Sequence, residues 1–134
     1  MTAIIGSGGK TSLMMRLAEE LAERGRVIVC TSTHIMRPEN MAVAESAGEI
    51  QTVTDLAGEG NRDTKDPQKS IGAWKTPVCI GTPAGNGKLT APAESFEELA
   101  GIADYVLVEA DGSKRLPLKC HAPHEPVIPE NADK

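Results

Sequence analysis

Apolar residues along this chain fall in short runs cut by glycine, charge or proline. The first run, residues 2–5, passes straight into glycines and then into an amphipathic stretch over residues 10–24. Leu13, Leu17 and Leu21 recur every fourth position, Met14, Ala18 and Ala22 widen the stripe, and Arg16/Glu20 and Glu20/Arg24 pair four apart on the polar side; this spacing predicts a helix. Gly25 is expected to end that helix in a left-handed conformation. Residues 26–31 are expected to form a strand, since after Arg26 they run without alternation through apolar and β-branched residues, the pattern of a strand covered on both faces. The three segments predict a βαβ unit with a right-handed crossover, its glycine loop beside the Thr31-Ser32-Thr33-His34 loop at the carboxyl edge of a sheet.

The middle third is less regular. Residues 38–48 are expected to be helical and residues 49–53 a short strand, with mobile loop over residues 58–70, where Gly, Asn and charge are concentrated. Residues 76–81 predict another strand, residues 84–88 a glycine-rich turn, and residues 95–102 a short helix capped by Ser95 with Glu97 and Glu98 in its first turn. Residues 104–112 make the best strand in the chain and deliver Glu109 and Asp111 as it ends. Beyond Lys114 come Pro117, Pro123, Pro126 and Pro129, with only an edge segment near Val127 and Ile128 to suggest further structure. A compact domain seldom ends on such a tail, so the expectation is a single α/β domain over residues 1–134 that is an N-terminal fragment, its later strands lying beyond Lys134.

Composition narrows the fold class. A chain of 134 residues, 40% hydrophobic and 25% charged, suits one domain with one core. Its aromatics are limited to Trp74, Phe96 and Tyr105, so the core must come from Val, Ile, Leu, Met and Ala, which favours a helix-covered parallel sheet over a sandwich. A net charge of -5, with no basic stretch and few rings to stack on bases, argues against nucleic acid as a partner. No apolar run reaches the length of a membrane span and the first residues carry no secretory pattern. Cys30, Cys79 and Cys120 are odd in number and far apart, as reduced cytoplasmic thiols would be.

Four stretches carry candidate chemistry. In Gly6-Ser7-Gly8-Gly9-Lys10-Thr11-Ser12, a glycine turn between strand and helix offers backbone N–H groups and a positive helix end to a phosphate, Lys10 adds a cation, and Thr11 or Ser12 a hydroxyl for Mg²⁺. The pattern G-x-x-x-x-G-K-[ST] would put glycine where Ile4 stands, which predicts a tighter cradle than usual. Glu109, ending an apolar strand, is placed to hold Mg²⁺ directly or through water; Asp111 is a second metal contact or a base, and Gly112 admits backbone close to a terminal phosphate. Thr31 to His34 supply hydroxyls and an imidazole, with Thr33 a candidate phosphate contact and His34 a candidate catalytic group; hydrogen bonding within the strand end is the competing role. Cys120, His121 and His124 gather soft metal ligands, but Pro123 discourages the helix that would let Cys120 and His124 chelate together.

With these stretches in view the chain resembles the YqeC family, accessory or selenium-cofactor proteins of selenium-dependent molybdenum hydroxylases. The resemblance rests on Gly6-Ser7-Gly8-Gly9-Lys10-Thr11, on Thr31-Ser32-Thr33-His34-Ile35, on Glu109-Ala110-Asp111-Gly112-Ser113-Lys114-Arg115, and on Leu116-Pro117-Leu118-Lys119 followed by His124-Glu125-Pro126-Val127-Ile128-Pro129. Cys120-His121 departs from it, and residues 58–75 match nothing in it. The resemblance implies a three-layer, P-loop NTPase-like fold with a mostly parallel sheet and flanking helices. It also implies a role in maturing a molybdenum hydroxylase, without fixing the reaction. More distantly, the strand end at Glu109 is similar to that of the P-loop branch containing dethiobiotin synthetase and the metallochaperone GTPases. The expectation is a protein that binds Mg²⁺ and ATP or GTP, with hydrolysis or phosphoryl transfer, through Gly6, Ser7, Gly8, Gly9, Lys10, Thr11, Ser12, Thr33, Glu109, Asp111, Gly112 and His34. The alternative is a non-catalytic carrier of an anionic molybdopterin or selenium species.

Overall fold

The computed structural model describes residues 1–6, 9–57, 74, 76–110 and 128. In chain order the elements are β1 (Thr2–Ile4), α1 (Lys10–Ala22), β2 (Val27–Thr31), β3 (His34–Met36), β4 (Ala42–Ala44), a 3-10 turn (Ala47–Glu49), α2 (Ile50–Ala57), β5 (Val78–Ile80), β6 (Thr82–Pro83), β7 (Lys88–Thr90), α3 (Phe96–Ile102) and β8 (Tyr105–Glu109). Five strands form a parallel sheet in the order β1-β8-β2-β5-β4; β3, β7 and β6 form a small antiparallel sheet.

Alternation along the strands divides the core between two layers. Ile28, Cys30, Val78, Ile80, Val106 and Val108 face the side covered by Ile50 of α2 and Leu99 of α3. Val27, Val29, Cys79, Leu107 and Ile4 face Met14 and Ala18 of α1, together with Ile35 and Leu89 from the small sheet. Every residue of β2 is buried, as its uninterrupted apolar run predicts for a strand with neighbours on both sides and helices above and below. Two consequences fix the site: Thr31 and Glu109 share the parity of Val29 and Leu107, so both side chains emerge on the α1 side of the sheet.

Several sequence expectations are corrected. β1 and β2 are not neighbours, because β8 lies between them and pairs with both; its interior place satisfies both of its edges, and β2, buried along its whole length, holds the centre of the five. The expected helix over residues 38–48 is instead β4 and the 3-10 turn, and the expected strand over residues 49–53 is the start of α2. Apolar runs this short fit either period, and here Thr54, donating to the Ile50 carbonyl at 2.9 Å, belongs to a helix. In α1 the buried stripe runs through Lys10, Met14 and Ala18, while Leu13 is 60% exposed. Gly25 does not take a left-handed φ; a Cβ there would stand 2.9 Å from the Asp104 Cβ, so glycine is required for close approach. Around it, Asp104 accepts from the Arg26 backbone N–H at 2.8 Å and from Arg26 Nε at 3.1 Å. The Ser95 cap is as expected, and is reciprocated by Glu98 as a capping box. Among the described residues no helix is long and apolar enough to cross a membrane.

Candidate functional site at the carboxyl edge of the sheet

Strand register brings three strand ends into one row: Glu109 stands opposite Ile4 on one side and Thr31 on the other. Ladder bonds continue past the strands, with Ala110 N donating to the Ile4 carbonyl at 3.1 Å and Ser32 N to the Glu109 carbonyl at 3.1 Å. The chain segments leaving β1, β8 and β2 therefore start from a common edge.

The position where the usual phosphate loop has glycine is the last residue of β1. Ile4 is buried in the α1-side core. That leaves residues 5–9 for the connection to α1. Gly6 has φ 139° and Gly9, the residue before the helix, φ 70° with no side-chain cap. Both are conformations that glycine adopts without the Cβ penalty. The first turn of α1 thus presents its backbone N–H groups without a capping side chain of its own.

Lys10, Thr31, Thr54 and Glu109 are the buried polar or charged residues among those described. Thr54 is satisfied within its own helix; the other three converge on the row of strand ends. Lys10 turns its ammonium back to donate to the Gly6 carbonyl, which offsets part of the cost of burying the charge. Thr11 Oγ1 donates to Glu109 Oε2 at 2.8 Å across 98 residues of sequence. Thr31, fully buried, donates its hydroxyl to the Glu109 carbonyl at 2.9 Å and accepts from Thr33 N at 3.1 Å.

The decisive match is with a known family. The family described as "YqeC protein" matches residues 2–134. The chain belongs to the YqeC family. It is 33% identical over 135 residues to the "Uncharacterized protein YqeC" of Escherichia coli (strain K12), covering 97% of this chain and 47% of that relative, about half its length. No solved structure matches.

In this YqeC-family chain the structure brings together Gly6, Gly9, Lys10, Thr11, Glu109 and, one turn of chain away, Thr33. Ser12 follows them on the exposed side of α1. His34 opens β3 on the outward face of the small sheet and is exposed, whereas Ile35 beside it enters the core. Ser7, Gly8, Asp111 and Gly112, and the Cys120, His121 and His124 group, lie outside the described residues, as do the expected loop over residues 58–70 and the proline-rich tail apart from Ile128. Among the described residues no group of three or more His, Cys, Asp or Glu gathers as a metal centre. Cys30 and Cys79 are buried free thiols. Burial pushes the Cys79 thiol up to about 12, with Arg37 opposing, and raises Cys30 further still, aided by Cys79. Both are inert packing residues rather than nucleophiles. Thr90, absent from the sequence reading, donates its hydroxyl to the Thr33 carbonyl at 3.0 Å; only the pairing of β7 with β3 places it there, and no sequence pattern signals that.

Proposed function

We propose that this YqeC-family chain binds Mg²⁺ and a nucleoside triphosphate, ATP or GTP, at the carboxyl edge of its sheet in the manner of P-loop NTPases. In this reading it serves as an accessory protein in maturing selenium-dependent molybdenum hydroxylases. The observation that carries the site is the Thr11–Glu109 hydrogen bond: a hydroxyl at the start of a helix behind a glycine turn meets a carboxylate ending the adjacent parallel strand. A hydroxyl and a carboxylate are the hard oxygen donors that Mg²⁺ prefers. Their fit is supported by the burial of Glu109 at 6% exposure, an expense that a cation partner would offset. Thr11 and Glu109 would hold the ion. Gly6, Ser7, Gly8, Gly9, Ser12, Thr33 and Gly112 would surround the phosphates.

Lys10 contributes positive charge at the end of the glycine turn, and release of its ammonium from the Gly6 carbonyl would let it meet a phosphate instead. Bound Mg²⁺ supplies neutralisation of phosphate charge. Asp111 and His34 are the groups proposed to orient a water or acceptor. The hydroxylase-maturation role is carried over from the family resemblance, and the site gives it a chemistry.

Calorimetric titration of the intact protein with Mg-ATP and with Mg-GTP tests the reading. Saturable binding of one of them, abolished by Lys10→Ala, is expected; no binding of either, or unchanged affinity in the variant, overturns it. Phosphate release then separates turnover from retention of an anionic molybdopterin or selenium species.

A further inference from the structure

The chain leaves the large sheet at Thr31 and enters the small one at His34, so Ser32 and Thr33 are the whole of the turn between them. The inner side of that turn is tied to β8: the Glu109 carbonyl accepts from both Ser32 N and the Thr31 hydroxyl, and Thr31 in turn accepts from Thr33 N. Its outer side is tied by Thr90, whose hydroxyl donates to the Thr33 carbonyl at 3.0 Å.

Thr90 is itself held from three directions. It ends β7, the middle strand of the small sheet, with His34 opposite it on one side and Thr82 on the other. Behind it is Gly81, whose N–H donates to the Ala44 carbonyl at 3.2 Å; a Cβ on Gly81 would stand 2.7 Å from the Thr90 carbonyl oxygen. Ile35 and Leu89, paired with each other and exposed by only 4% and 1%, pin the small sheet into the α1-side core. The β6–β7 hairpin is thus packed onto the large sheet through Leu89, and the Thr90 hydroxyl links it to the turn.

We propose that the β6–β7 hairpin clamps the Ser32–Thr33 turn against the end of β8, with Thr90 as a positioning residue that sets Thr33 for the phosphate-binding edge. The clamp stands on the hydrogen bonds alone; its effect on ligand binding rests on the nucleotide reading above. Three backbone pairs already join β3 to β7, so the Thr90 hydroxyl is not needed to form the sheet, and its removal should act on the turn.

Thr90→Val, which deletes the hydroxyl at constant shape, and Thr90→Ser, which keeps it, test the proposal by amide hydrogen exchange of Ser32 and Thr33 and by Mg-nucleotide titration. Thr90→Val should speed Thr33 exchange and weaken affinity by about 5–10-fold each, the worth of one ordinary hydrogen bond, and Thr90→Ser should restore both. Gly81→Ala, which pushes on the Thr90 carbonyl without touching its hydroxyl, should give the same two losses. Unaltered exchange in Thr90→Val overturns the clamp. Faster exchange with unaltered affinity overturns the positioning role. A wild-type protein that binds neither nucleotide defeats the nucleotide reading, and the exchange measurement still decides the clamp.

Discussion

Replacing Thr11 by Val removes one hydroxyl at nearly constant volume and leaves Glu109, 6% exposed, without its 2.8 Å donor from α1. A hydrogen bond to a charged group contributes about 1.5–3 kcal/mol. Thr11 itself is exposed, so water can replace part of what the carboxylate loses, and the lower end, about 1.5 kcal/mol, is expected. With a urea dependence of about 2 kcal/mol/M, that shifts the unfolding midpoint down by roughly 0.75 M. Trp74, the single tryptophan, reports the transition, because its ring packs on the core, its Nε1 donates to the Val27 carbonyl at 3.4 Å and Arg26 lies 5.7 Å from its centroid. Glu109→Gln keeps an acceptor for Thr11 and should cost under about 1 kcal/mol. The two variants diverge from wild type again when ligand is added. At a hundred times its dissociation constant, Mg-nucleotide should stabilise the wild type by about 2.7 kcal/mol and Glu109→Gln hardly at all. A Thr11→Val midpoint equal to wild type, or full ligand stabilisation of Glu109→Gln, would refute the reasoning.

Two further outcomes follow from the packing. Gly25→Ala should lower stability by about 1–3 kcal/mol, as other overpacked sites do, because its Cβ would meet Asp104 at 2.9 Å; an unchanged melting temperature would show that Asp104 yields without cost. Arg26, through its side chain and then its backbone N–H, holds the Asp104 carboxyl below its usual range, and the Ser95 backbone N–H and hydroxyl do the same for Glu98. Depressed carboxyls add stability above their unfolded values and lose it as pH falls through their folded ones, so Asp104→Asn with Glu98→Gln should flatten the acid limb of a stability profile. The thiols work oppositely: with Cys79 raised to about 12 and Cys30 raised by burial, their contribution is present below the ordinary thiol value and lost as pH rises toward the folded ones.

The parts of this fold legible from sequence are those whose signals are local. β2 and β8 announce themselves as apolar β-branched runs, α1 as a four-residue repeat, and α3 by Ser95 and Glu98 three apart. The candidate site was legible for the same reason, since glycine, lysine and threonine at a helix start and a carboxylate at a strand end are each recognisable alone. What could not be read was decided by pairing. Nothing near residues 42–44 marks them as a strand until β5 supplies an edge for them. Leu13 matches the apolar period of α1 but lies beyond the stripe that the sheet covers. The place of β8 between β1 and β2, and of Thr90 against Thr33, depends on contacts between residues far apart in the chain.

The insertion of β8 between β1 and β2 has a consequence for the order in which the molecule can assemble. β1 pairs with β8, and so does β2; during synthesis β1, and the edge of β2 that does not face β5, must therefore wait for residues 105–109 before those ladders can close. Contacts so distant in sequence form slowly, because the intervening chain must first be brought together. The helix start and its carboxylate, 98 residues apart at Thr11 and Glu109, meet only when β8 slots in. A nascent or partly unfolded chain thus carries the glycine turn without its acid, and ligand competence should arise in one step with closure of the sheet.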